Sequence, residues 1–222
     1  MSDIEKNLGR QEFRYSKDPT SLTKFLKTML WISWGVSFIS LLSDSAQWIL
    51  LRSGTFSQAE AEANDTRQLI VGVLYFVTFV VTTIAFMIWV YRANLNCHGF
   101  GAQGMRFTPG WSIAYYFIPI FCLYKPYQAM KEIWKVSTNP SNWQNEKGSP
   151  LLGWWWALWL ISGPFNPRHW LLPVEADTIN SLRLLTSLLI ISDGINMLLY
   201  IFTISLISEI STKQEALVRE NA

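Results

Sequence analysis

Between Leu69 and Tyr91 the chain runs 23 residues without one charged side chain. A bilayer core of about 30 Å takes roughly 20 helical residues to cross, and inside it the backbone must satisfy its own polar groups. This stretch alone therefore commits the chain to a helix across lipid. Phe25 to Leu51 is a second apolar run of sufficient length, with Lys24 and Lys27 at its start, and Leu184 to Ser208 is a third. Composition agrees: 50% of residues are hydrophobic, only 15% are charged, and there are 12 Trp, a residue that gathers at membrane–water boundaries. A net charge of +2, with no basic cluster interleaved with aromatics, excludes nucleic acid as a partner.

The remaining segments are less regular. Residues 1–20 form a polar tail without the apolar core of a signal peptide, and Asp18-Pro19-Thr20 reads as a helix start. Residues 52–68 read as a polar loop. Trp111 to Tyr124 is apolar but short and is broken at Pro119, so it is expected to dip into the membrane or lie in its interface. Beyond Pro126 an amphipathic helix is expected, with Met130, Ile133 and Trp134 on one face; the whole re-entrant or interfacial stretch is 111–135. Leu151 to Leu172, with Trp154, Trp155, Trp156 and Trp159, is expected to span with a kink at Gly163-Pro164. Residues 211–222 form a second polar tail, leaving one membrane domain over 21–210.

Topology follows from where Lys and Arg fall, since cytoplasmic loops collect them. If 111–124 returns to its own side, fourteen basic residues lie inside against four outside; if it crosses, the split is ten against eight. A Trp-rich block that stays on the inner side also gives fourteen against four, so the count does not decide that segment. The expected architecture is all-α and integral to the membrane: four transmembrane helices, a proline-broken re-entrant segment, and both termini in the cytoplasm.

The string Tyr91-Arg92-Ala93-Asn94-Leu95 is followed by Pro109-Gly110-Trp111, Phe117-Ile118-Pro119-Ile120, Lys125-Pro126-Tyr127-Gln128-Ala129-Met130 and Glu132-Ile133-Trp134. In order and spacing this resembles a bacterial family of small multi-pass membrane proteins, domain of unknown function 4328, over roughly residues 90–160. Cys122 stands where such proteins often carry Asn. The resemblance implies a bacterial inner membrane and no particular activity.

Residues able to do chemistry are few. His98 and His169 fall on opposite sides of the expected topology, which excludes a shared haem or metal, and Cys97 and Cys122 lack metal-ligand spacing. Both read as inert thiols, with lipidation of Cys97 a weaker alternative. Gly99, Gly101 and Gly104 have dinucleotide-fingerprint spacing but no β-α-β context, so they read as loop glycines. No cofactor, metal or catalytic constellation is expected. The informative polar residues lie inside the spans: Asp44 with Gln47, and Asp193 with Asn196, each pair at i, i+3 and both roughly 10–14 Å below the outer boundary. They read either as a proton- or cation-binding site or as interhelical hydrogen bonding. Arg92 and Asn94 read as a membrane anchor or a clamp on the proline-broken segment, where Pro119 and Pro126 free carbonyls that need partners. Three functions follow from different classes, the weakest an intramembrane enzyme acting on lipid or peptide, for which no nucleophile–base pair is readable. The first is a non-enzymatic accessory subunit that docks a protein or lipid through the Trp-rich block and the segment Tyr127, Met130 and Trp134. The alternative is a small-solute or ion transporter using Asp44 and Asp193, which four spans would build as a homo-oligomer.

Overall fold

The structure, a computed structural model, describes residues 13–163 and 178–219, and every regular element in them is helical. Helix α1 is Thr20–Ser53, and its start is set by Asp18, whose carboxylate accepts from the Thr20 N–H at 2.8 Å and the Thr20 hydroxyl at 2.6 Å. Those bonds hold the Asp18 carboxyl below its ordinary range. Helix α2 is Gln58–Gly99, longer at both ends than the apolar run that announces it. Its extra first turns come from a reciprocal cap: Ser57 N–H donates to Glu60 Oε2 at 2.7 Å while the Glu60 N–H donates to Ser57 Oγ at 3.3 Å. The expected loop 52–68 is therefore helical from Gln58.

Helix α3 is Pro109–Ala114, capped by Thr108, and α4 is Lys125–Thr138. Helix α5 is Pro150–Ser162 and α6 is Ile179–Arg219. The polar tail expected from residue 211 is thus helical through Arg219. Three helices, α1, α2 and α6, are long and apolar enough to cross a membrane. At about 1.5 Å per residue, their 34, 42 and 41 residues overshoot the hydrocarbon core and project beyond it. The fourth expected span has only α5 within the described residues; 164–172, with Pro164 and His169, lies outside them.

The chain divides into two compact units. One comprises Met1–Phe25, Ala85–Leu152 and Ser205–Ala222. In it the start of α1, the end of α2 and the end of α6 meet: Trp89 Nε1 donates to Thr23 Oγ1 at 3.0 Å, and Thr23 lies 3.5 Å from the Ser211 hydroxyl. Asn96 pairs both ways with the Lys17 backbone, and Phe13 and Tyr15 close over Phe100. A Cβ at Gly99 would collide with Ser16, while Gly101 and Gly104 take φ of 77° and 74°; these glycines serve the loop after α2. Ala129, Met130, Ile133 and Val136 of α4 pack into this unit's core. The other unit comprises Leu26–Ile84 and Gly153–Ile204. Here Arg183 covers the Leu51 carbonyl at the end of α1 with Nε at 3.0 Å and Nη2 at 2.7 Å, Ser33 meets Thr82 at 2.9 Å, and Trp156 stacks on Trp159. The α2 stretch that enters it leaves Leu69, Ile70 and Phe76 about two-thirds exposed, a surface suited to lipid.

Candidate functional site

Within the second unit several polar side chains are buried among apolar ones such as Leu30, Val36, Leu51 and Ile204. Asp44 on α1 is 4% exposed and accepts from Gln68 Nε2 at 3.0 Å. One turn on, Gln47 donates to Thr186 Oγ1 of α6 at 2.9 Å and accepts from Asn64 of α2 at 3.4 Å. Arg67 grips Ser43 through its hydroxyl at 3.1 Å and its carbonyl at 3.3 Å, and Asn64 Oδ1 at 2.6 Å. On α6, Asp193 is 2% exposed and lies close to Tyr200, which is hydrogen-bonded to Tyr75; Asn196 donates to the Tyr75 hydroxyl at 3.0 Å. A groove of about 330 Å³ between Ala46, Ile49 and Leu50 of α1 and Glu60, Ala63, Asn64 and Arg67 of α2 opens beside this network.

All four intramembrane polar residues singled out from the sequence are thus inward-facing, within one unit. Their partners Gln68, Asn64, Thr186, Tyr75 and Tyr200 were not singled out. Gln68 and Asn64 had a legible signal, one helical turn apart and following an Ser-x-x-Glu cap, but the stretch read as loop.

The first unit has its own buried polar seam. Gln214 of α6, 1% exposed, donates to the Ala93 carbonyl at 3.2 Å and to Ser137 Oγ at 3.0 Å, beside Cys97. Cys97 is fully buried, so an acyl group cannot reach its thiol with the fold closed. Glu132 binds the loop ahead of α3, accepting from the Arg106 N–H at 2.9 Å and the Phe107 N–H at 3.1 Å. Burial pushes its carboxyl above the ordinary Glu value, against the pull of those two N–H groups and of Arg106 and His98. His98 Nε2 lies 3.1 Å from the Phe107 carbonyl.

Arg92 reaches the Asp18 carbonyl at 3.4 Å, tying the α2 end to the start of α1. Asn94 is fully buried, and its amide makes no hydrogen bond among the described residues. The carbonyls around Pro119 are taken up by tight local turns: Phe121 N–H to Pro119 O at 2.8 Å, Cys122 to Ile118 at 2.9 Å and Leu123 to Ile120 at 3.1 Å. Pro126 sits buried in the first turn of α4, where a missing N–H costs nothing. Lys131 lies over the Tyr127 ring at 5.9 Å. Met130 is 1% exposed and Trp134 8%, with Lys213 Nζ 4.4 Å over the Trp134 ring. The apolar face of α4 is buried against this unit's own helices.

A family model described as a domain of unknown function, DUF4328, matches residues 52–212. The chain belongs to the DUF4328 family. The matched range takes in the first turns of α2 and α6 as well as the tyrosine- and proline-rich segment, so in this DUF4328 chain both the carboxylate Asp193 and the seam at Glu132 lie inside the match, whereas Asp44 and Gln47 precede it. No curated protein and no solved structure matches the chain.

Proposed function

We propose that this chain is a non-catalytic carrier of the bacterial inner membrane that takes up a proton or small cation at Asp44 and Asp193 and couples it to movement of a small solute. The burial of two carboxylates in helices whose outer surface is apolar supports this reading. A carboxylate in the bilayer costs about 2.5–3.5 kcal/mol on insertion scales. Helix packing alone does not need that expense, because neutral pairs already join the same helices: Gln47 to Thr186, Asn196 to Tyr75 and Ser33 to Thr82. Beyond any part in packing, the two acids are suited to loading and releasing charge. The groove lined by Ala46, Ile49, Leu50 and Ala63, with Glu60, Asn64 and Arg67 at its polar side, opens on the same helices.

Charge supports the orientation. The described residues of the unit holding both helical ends carry eleven Lys and Arg against five Asp and Glu; those of the other carry four against five. The positive-inside rule then favours the cytoplasmic side of the membrane for the first unit. Thr23 and Ser211 are neighbours there, so the chain leaves and returns to one side, which favours an even number of crossings. Four spans enclose little space, and the carrier would work as a homo-oligomer. The accessory-subunit reading loses the α4 face and keeps Trp154, 64% exposed on α5, as its docking residue.

Proteoliposomes holding the purified full chain and a pH-sensitive dye test the carrier. Asp44→Asn and Asp193→Asn are each expected to abolish proton or cation flux while leaving the thermal melt within a few degrees of wild type. Undiminished flux in both variants, or loss of folding in either, overturns the reading in favour of packing.

A further inference from the structure

Lys125 opens α4 in an unusual setting. Its ammonium lies 5.7 Å from the ring centroids of Phe107 and Tyr115 and 5.5 Å from that of Tyr124, so three aromatic faces hold it. Among the described residues no carboxylate pairs with it. Around it the chain presents large apolar side chains outward: Phe117 is 72% exposed and Ile120 73%, with Trp111 and Phe121 also exposed. These residues sit on the turns that Pro119 forces. The tip is Ile120, at φ 68° and ψ −51°, closed by the Phe121 N–H to Pro119 carbonyl bond, which is a γ-turn of the strained kind. A β-branched residue at positive φ costs on the order of 1–3 kcal/mol, and here it holds an isoleucine in the open.

A cation oriented by aromatic rings, next to an outward apolar wedge, matches one kind of molecule. Acyl chains cover Phe117, Ile120 and Phe121, Trp111 and Tyr124 suit the boundary layer, and the ammonium meets a phosphate. The excess of basic over acidic residues in this unit favours a lipid of net negative charge over a zwitterionic one. We propose that residues 111–125 form a binding site for an anionic glycerophospholipid, with Lys125 as the phosphate ligand and Phe117 and Ile120 as the acyl-chain wedge. The site is separate from the carboxylates of the carrier reading and stands or falls without it.

The test uses the purified full chain in mild detergent, with native mass spectrometry and thermal melting read against added lipid. Phosphatidylglycerol is expected to bind and raise the melt, phosphatidylcholine to do so more weakly, and inorganic phosphate not to compete. Lys125→Gln is expected to weaken phosphatidylglycerol about fivefold, the loss of one lysine near an anionic surface, and Lys125→Arg to restore it. Lys147→Gln, on an exposed lysine of the same unit, is expected to change nothing. Because Phe117 is exposed, Phe117→Ser cannot empty the core and is expected to weaken the lipid as well. Equal affinity for the two lipids overturns the proposal, and so does a Lys125→Gln variant that binds like wild type. Competition by inorganic phosphate would make the site one for free anions, and an unaffected Phe117→Ser variant would remove the wedge; either result also overturns it.

Discussion

Gln214 lies in a stretch whose composition reads as a solvent-exposed tail, and replacing it separates that reading from the packed one. Its amide donates to the Ala93 carbonyl and to Ser137 Oγ, and it is 1% exposed. Each net hydrogen bond is worth about 1 kcal/mol, so Gln214→Met, which keeps the volume, should cost about 1–2 kcal/mol after the gain from apolar burial. Gln214→Ala adds a lost methylene, about 0.8 kcal/mol, and a cavity on the order of 50 Å³, about 1 kcal/mol more, for a total near 4 kcal/mol. A chain of this size shifts roughly 2–4 °C per kcal/mol, which places the alanine variant about 8–16 °C below wild type and the methionine variant about 2–8 °C below. Tryptophan fluorescence in mild detergent, with heating followed through the 12 Trp, reads this directly. Truncation after Ser211 should be at least as damaging as the alanine. If truncation and Gln214→Ala both melt with wild type, α6 is not packed beyond the membrane and the first unit is wrongly assembled.

Two further outcomes follow from the same unit. Met130→Ala should destabilise by about 2–5 kcal/mol, as a buried truncation does, and co-purification of other proteins should not change; loss of a partner at unchanged stability would restore the docking face. Glu132 has a folded pKa above its ordinary value, so the folded state binds the proton more tightly than the unfolded one. Its contribution is present in full below the ordinary Glu pKa of about 4.3 and is lost as pH rises through the raised folded value. Glu132→Gln should flatten that fall in denaturant midpoint against pH; an unchanged slope would mean that another group carries it.

How much of this was legible depends on what kind of signal each residue sends. The middle of α2 is legible because a charge-free run has few alternatives, but its ends are not: the first turns are polar, and the last carry Asn94, Asn96 and His98, which hide the apolar period. Asp44, Gln47, Asp193 and Asn196 stand out because polar residues in an apolar run are expensive and must turn inward. Their partners do not stand out, since pairing Gln47 with Thr186 or Asn196 with Tyr75 takes a tertiary register that no local spacing encodes. The amphipathy of α4 was legible and its direction was not. An apolar stripe says that something covers it, and only the fold says that the cover is this chain's own α2 end and α6 end. Gln214 was lost for the opposite reason, being one polar residue among many in a run of Lys and Glu.

The carboxylates and the lysine also make different demands on the fold, and this makes them separable. Asp44 and Asp193 sit among amides and hydroxyls that pair helices without charge, so neutralising an acid removes the ion's ligand and spares those pairs. Lys125 is held by rings and, among the described residues, has no carboxylate to orphan, so neutralising it removes a contact with lipid and leaves no buried charge behind. Both substitutions are therefore mild towards folding for distinct physical reasons. A flux defect confined to the aspartate variants and a lipid defect confined to Lys125→Gln would then report two independent sites. If Lys125→Gln alone also stopped flux in vesicles of pure phosphatidylcholine, where its lipid is absent, the lysine would have to act on the carried ion itself.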